Sequence, residues 1–143
     1  MTDRPTFDLD RFIPYRLAVA AQKTSEALAR QYRDRFGISI PEWRVLVHLA
    51  AAGDVSVRDI ERRVAMEKSK VSRAASRLET AGYVTKREAE SDRRLVSLAL
   101  TDKGEALMQE LLPLAEAYQR AIEARLGTAL AGLEDGLGRL LED

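Results

Sequence analysis

Glu67-Lys68-Ser69-Lys70-Val71-Ser72-Arg73-Ala74-Ala75-Ser76-Arg77-Leu78-Glu79-Thr80-Ala81-Gly82 is the stretch that decides the fold. Val71, Ala74, Ala75, Leu78 and Ala81 recur at three- and four-residue steps, the spacing of one apolar stripe on an α-helix. Glu67 is the expected N-cap, and Gly82 ends the helix where a left-handed residue is needed. Lys70, Arg73, Ser76 and Arg77 fall off the stripe, toward water or a partner. Cations and hydroxyls above small alanines suit a major groove, where Arg, Lys and Ser can reach base edges and phosphates. The same pattern also describes an ordinary solvated amphipathic helix. The flanking sequence discriminates between the two.

Downstream, Tyr83-Val84-Thr85-Lys86-Arg87 reads as a strand, and Glu88-Ala89-Glu90-Ser91-Asp92-Arg93-Arg94 as a charged loop. Residues 95–100 are the return strand, with Val96, Leu98 and Leu100 on one face. Asp92 at a hairpin tip is ill suited to meet DNA directly. Beside Arg93 and Arg94 it can hold an arginine extended through a bidentate pair, ready for a narrow minor groove. Upstream, Ser56-Val57-Arg58-Asp59 caps a helix with Ile60 and Val64 inward, and Ala65-Met66 form a short turn. Helix, short turn and helix make a helix-turn-helix. Ser39-Ile40-Pro41-Glu42 has capping-box spacing, with proline in the first turn. The helix it opens runs through Trp43, Val45, Leu46, Val47, Leu49 and Ala50, and Gly53-Asp54 turns the chain. The expected fold class is mainly α: a winged helix-turn-helix with a three-helix core and a β-hairpin wing.

Asp92-Arg93-Arg94-Leu95-Val96-Ser97-Leu98-Ala99-Leu100-Thr101-Asp102-Lys103-Gly104 resembles the wing signature of the multiple-antibiotic-resistance regulator (MarR) family: Asp-x-Arg, alternating apolar residues, then Leu-Thr-x-x-Gly. Lys68-Ser69-Lys70-Val71-Ser72-Arg73 stands where that family places its recognition helix. The resemblance runs from about Phe12 to about Leu114, and more loosely to the end. It implies that Lys68, Ser69, Lys70, Ser72, Arg73 and Arg77 touch DNA, and that Asp92 and Arg94 are the wing pair, with Arg94 entering the minor groove. Lys70 departs from the family's frequent small hydroxyl residue, and Ala74 and Ala75 are smaller than usual. These departures bear on sequence preference. The family often binds small aromatic anions between its dimerisation helices and its reading head. Tyr15, Arg16 and Trp43 are the candidates here, Arg16 being able to meet a carboxylate. Without the resemblance, Trp43 and Tyr15 read as core aromatics rather than as a pocket lining.

The two ends are expected to build a homodimer. Residues 9–36 read as one long helix with Leu9, Phe12, Ile13, Leu17, Ala20, Ala21, Thr24, Leu28 and Tyr32 along a face, Pro14 near its start and Gly37 at its end. Its apolar start exceeds what a local core requires. Thr101 caps a long helix with Leu107, Leu111, Leu114, Tyr118, Ile122 and Leu126 in register, and Pro113 inside it. After Gly127, Leu130, Leu133, Leu137, Leu140 and Leu141 form a short helix that also contains Gly132, Gly136 and Gly138, each costing about 1 kcal/mol against alanine. The expected division is residues 1–36 for dimerisation and core support, 37–101 for DNA binding, and 102–143 for C-terminal dimerisation helices. Met1 through Asp8 are polar with Pro5, and read as an arm ahead of the first helix.

The chain has 143 residues, 45% hydrophobic and 32% charged, with zero net charge. Cations are nevertheless concentrated. Residues 62–94 carry ten basic and five acidic side chains, whereas residues 95–143 carry four basic and nine acidic. The local field is what attracts phosphate. The sequence has no cysteine and one histidine, His48. Disulfides and thiol redox chemistry are therefore excluded, and no metal site or cofactor is expected. His48 lies in an apolar helix without a nucleophile beside it, so a packing or surface role is expected and no enzymatic activity. No apolar run spans a bilayer and no signal segment opens the chain, so a cytoplasmic protein without membrane partner is expected. The leading functional expectation is a sequence-specific regulator that binds a palindromic double-stranded operator, as a repressor released by a small aromatic, phenolic or anionic effector. The alternatives are a winged-helix protein-interaction module without operator DNA, and a small-molecule-binding protein without DNA function. The wing's Asp-x-Arg and the hydroxyl-rich start of the helix favour DNA, since protein interfaces favour exposed aromatics and few lysines.

Overall fold

Three helices of this chain open in the same way: a hydroxyl accepts the backbone N–H three residues on. Ser39 Oγ accepts from Glu42 N at 3.3 Å, Ser56 Oγ from Asp59 N at 3.1 Å, and Thr101 Oγ1 from Gly104 N at 3.0 Å. Each such cap contributes about 1 kcal/mol. A computed structural model of the chain describes residues 4–63, 66–89 and 92–142; the side chains of residues 89 and 92–95 lie outside that description. In order, the elements are a 3-10 turn at Leu9–Arg11, then α1 (Ile13–Phe36), α2 (Ile40–Ala52), β1 (Val55–Ser56), α3 (Val57–Arg63), α4 (Lys68–Thr80), β2 (Val84–Ala89), β3 (Asp92–Leu100), α5 (Asp102–Leu126), a 3-10 turn at Gly127–Ala129, and α6 (Leu130–Leu141). The strands form one antiparallel sheet in the order β1-β3-β2. This is a mainly helical winged helix-turn-helix.

Several local expectations are corrected. The first helix begins at Ile13, not Leu9: Phe12 is extended, and Pro14 sits in the first turn, where a helix starts more readily than it continues. Val55 and Ser56 pair with Leu98 and Ser97, which adds a third strand to the expected hairpin. The expected loop over residues 88–94 is largely strand, since β2 reaches Ala89 and β3 begins at Asp92, with a register shift between Glu88 and Ala89. Ala81 is exposed and serves as the C-cap of α4, so the buried stripe ends at Leu78. Val64 and Ala65, expected inward and in the turn, lie outside the described residues.

The core joins every element of the reading head to the two long helices. Val71, Ala74, Ala75 and Leu78 from α4 meet Val45, Leu46 and Leu49 from α2 and Ile60 from α3. Val84 and Leu98 close the sheet side, and Leu107, Met108 and Leu111 of α5 close the other, beside Ala29 and Tyr32 of α1. Removing one such buried leucine to alanine costs roughly 2–5 kcal/mol. Tyr118 of α5 also donates its hydroxyl to the Thr24 carbonyl of α1 at 2.9 Å.

The junction of α4, β2 and α5 is tightly built. Gly82, at φ +85°, donates to Glu79 O at 3.0 Å, and Tyr83 N donates to Leu78 O at 2.9 Å, the paired bonds of a Schellman turn. Thr101 donates its N–H to Tyr83 O at 3.0 Å and its hydroxyl to Gly82 O. Lys103 caps the Ala81 carbonyl at 2.7 Å and lies 4.7 Å from the centroid of the Tyr83 ring. Backbone approaches Gly104 closely: a Cβ there would overlap the Tyr83 carbonyl oxygen.

By contrast, the chain's two ends leave apolar side chains in solvent. Leu9, Phe12, Ile13, Tyr15 and Leu17 are exposed at the start of α1, as are Leu133, Leu137, Leu140 and Leu141 on α6. No residue of α6 is buried.

Candidate nucleic-acid interface

α4 turns its buried stripe inward and every proposed reading residue outward. Lys68, Ser69, Lys70, Ser72, Arg73 and Arg77 are all exposed. At 100° per residue, Ser69, Arg73 and Ser76 centre the outer face. Lys68 and Ser72 lie on the flank toward the sheet, and Lys70 and Arg77 on the flank toward the start of α2. Arg73 Nε donates back to Ser69 O at 3.3 Å, which settles its guanidinium along the helix.

Each flank borders a shallow cleft. One, of about 240 Å³, is lined by Lys70, Arg73, Ala74 and Arg77 with Ser39 and Pro41 of the α2 start. The other, of about 230 Å³, lies between α3, α4 and the sheet, lined by Val57, Arg58, Glu61, Lys68, Ser72, Ala75, Lys86 and Val96. Arg58 and Lys86 border this cleft, although neither stood out in the sequence. Arg58 follows a helix cap like many arginines, and Lys86 reads as a routine strand charge. Lys86 Nζ donates to Ser76 Oγ at 2.9 Å and stands 3.8 Å from Glu79 Oε1.

In the wing, Val84, Thr85, Lys86, Arg87 and Glu88 pair with Leu100, Ala99, Leu98, Ser97 and Val96. Asp92 and Arg94 lie on the return strand, but their side chains, and so the expected pair between them, lie outside the described residues.

The expected effector residues are not brought together in the chain. Trp43 is half-buried on α2 and stacks on Tyr32 of α1, with ring centroids 5.2 Å apart and planes at 19°. Tyr15 and Arg16 are exposed in the first turns of α1. Seventeen helical residues separate Tyr15 from Tyr32, about 25 Å along the axis. Helical spacing placed these residues on their elements but could not place them relative to one another. Next to Trp43, Arg44 lines an open cleft of about 360 Å³ with Val47, His48, Ala51 and Arg63. Among the described residues, His48 Nε2 is buried without a hydrogen-bond partner. Burial pushes the Tyr32 phenol up to about 12, against the lowering effect of Arg33 and Arg44.

Comparison with known proteins places this architecture. The family model described as MarR family matches residues 36–95, from the end of α1 into β3. The HTH-type transcriptional regulator FarR of Neisseria gonorrhoeae is 31% identical over 105 residues, covering 71% of this chain and 72% of FarR. A MarR/EmrR family transcriptional regulator from Acinetobacter sp. ADP1 superposes with a TM-score of 0.83 at 26% identity, over 94% of this chain and 95% of that one. NadR, in a crystal structure with 4-hydroxyphenylacetate, superposes with a TM-score of 0.79 at 27% identity, over 97% of this chain and all of that one.

Proposed function

The chain belongs to the MarR family of winged-helix transcriptional regulators, and from that membership we propose that it binds a palindromic operator as a homodimer and acts as a cytoplasmic repressor. One observation carries the reading. The outer face of α4 presents Lys68, Ser69, Lys70, Ser72, Arg73 and Arg77 above a fully buried stripe, with Arg58 beside it on the cleft toward the sheet. The helix enters the major groove, Arg73 or Arg77 making a bidentate guanine contact while the lysines and serines hold phosphates. Arg94, steadied by Asp92, reaches the adjacent minor groove; sequence and family resemblance support this pair.

The exposed apolar ends supply the dimer contact. Residues 1–36 and 102–143 carry it, and residues 37–101 read the DNA. Large apolar side chains stand exposed around the start of α1 and along α6, surface that a partner would bury. Two-fold pairing covers it and sets two copies of α4 roughly 34 Å apart, one turn of B-DNA.

The effector we propose is a small aromatic acid, the class of the 4-hydroxyphenylacetate bound by NadR. It lies beside Trp43, its carboxylate meeting Arg44, with Tyr15 and Arg16 supplied by the partner's α1. It releases DNA by favouring a dimer whose two reading heads are wrongly spaced.

Arg73→Ala tests the central contact. It should weaken operator binding by about 1–3 kcal/mol and relax preference at one base position. Arg94→Ala should weaken binding more than Asp92→Ala, and the double variant should lose less than the sum. Unchanged discrimination between operator and scrambled duplex in both Arg73→Ala and Arg77→Ala would remove α4 from the recognition role.

A further inference from the structure

The second strand carries a cation where its alternation calls for an aliphatic side chain. Val84 points inward and is buried, and Lys86, two residues on, shares its face. In the ladder Lys86 stands opposite Leu98, itself fully buried. The lysine side chain keeps 29% of its exposure. Its stem borders the cleft with Ser72, Ala75 and Val96, and its ammonium reaches across to α4. There it donates to Ser76 Oγ at 2.9 Å, with Glu79 Oε1 at 3.8 Å. β2 is an edge strand, and an inward charge on an edge deters pairing with another chain. Edge protection requires the charge; it does not require two partners on the recognition helix.

The C-terminal end of α4 is already joined to β2 by the turn at Gly82. That turn and the packing of Val71, Ala74, Ala75 and Leu78 in the core hold the inner side of the helix. A second attachment, four residues further along the strand, fixes the angle. We propose that Lys86 is a positioning residue that locks α4 to the wing, so that helix and wing meet one duplex at a set separation. The proposal rests on the DNA-binding reading above. Ser76 and Glu79 engage the ammonium, so Lys86 acts through α4 rather than on a phosphate. Its loss should therefore lower discrimination without altering general attraction to DNA.

The full-length protein with Lys86→Met, which keeps the stem and removes the ammonium, provides the test. Amide exchange is measured without DNA, and binding is measured across a salt series to random duplex and to duplex enriched by the wild-type protein from a random library. Exchange in β2 and the second half of α4 should quicken by about 3- to 10-fold, the weight of one hydrogen bond. Affinity for the enriched duplex should fall by a similar factor, with random-duplex affinity and the salt slope unchanged. Adding Ser76→Ala to Lys86→Met should cost nothing further. Equal weakening on both duplexes with a salt slope shallower by about one would make Lys86 a phosphate contact and overturn the proposal. Unchanged exchange and affinity would leave only edge protection and overturn it as well. A wild-type protein that enriches no duplex would overturn the operator reading, and with it this role for Lys86, even where exchange reports the tie.

Discussion

Replacing Gly104 by alanine sets two effects of opposite sign against each other. Helix propensity alone favours alanine over glycine by about 1 kcal/mol. The structure opposes it. A methyl on Gly104 would overlap the Tyr83 carbonyl oxygen, well inside the 3.0 Å that carbon atoms respect, and stand 3.2 Å from Leu100 Cδ2. Tyr83 O belongs to backbone and cannot rotate away, so the start of α5 must retreat by on the order of 1 Å. That movement stretches the Thr101 N–H to Tyr83 O bond of 3.0 Å, the Lys103 to Ala81 O bond of 2.7 Å and the Thr101 hydroxyl bond to Gly82. Overpacking costs roughly 1–3 kcal/mol and each weakened bond about 1 kcal/mol. Offset by the propensity gain, the net loss is about 3–5 kcal/mol. For a chain of this size that lowers the melting temperature by roughly 10–15 °C. Thermal melts at matched protein concentration measure it, since dimerisation makes Tm concentration-dependent. A Gly104→Ala protein that melts at or above the wild-type temperature would refute the close approach of α5 to β2.

The same structure fixes other outcomes. Burial holds the Tyr32 phenol neutral up to about pH 12, so its contribution is intact below about pH 10 and is lost as pH rises through 12. Tyr32→Phe should flatten the alkaline fall in stability, read from denaturant midpoints; an equally steep fall would assign that loss to other groups. Deleting residues after Gly127 should lower dimerisation and operator affinity together, and a truncated chain that sediments as a dimer at low micromolar concentration would remove α6 from the interface. Titrating 4-hydroxyphenylacetate should change the fluorescence of Trp43, the sole tryptophan, and weaken operator binding; no change in either would exclude that ligand class.

The reading head was legible because its elements are long, periodic and well punctuated. The stripe of Val71, Ala74, Ala75 and Leu78, and the caps at Ser39, Ser56 and Thr101, all stand where spacing and cap chemistry put them. The two-residue β1 was invisible because Val55 and Ser56 are too few to show alternation. Its pairing with β3 is a tertiary fact. Charge hid the strand character of residues 88–89 and 92–94, where the ladder, not the propensity of Glu, Asp and Arg, sets the conformation. Lys86 was passed over for a related reason: alternation marks its face but cannot say which helix lies over it. The candidate effector residues show the same limit at longer range. Tyr15 and Trp43 were placed on their helices from spacing, but the roughly 25 Å between the start of α1 and the Tyr32–Trp43 stack emerges only when the helices are assembled.

Enrichment of bound duplexes from a random-sequence library, followed by titration of the winners across a salt series, tests the central claim most directly. A two-fold repeat should emerge with half-sites centred about 10 bp apart, bound far more tightly than random duplex, with affinity falling steeply as salt rises. Recovery of unrelated sequences, bound no better than the starting library, would contradict the claim that α4 reads an operator.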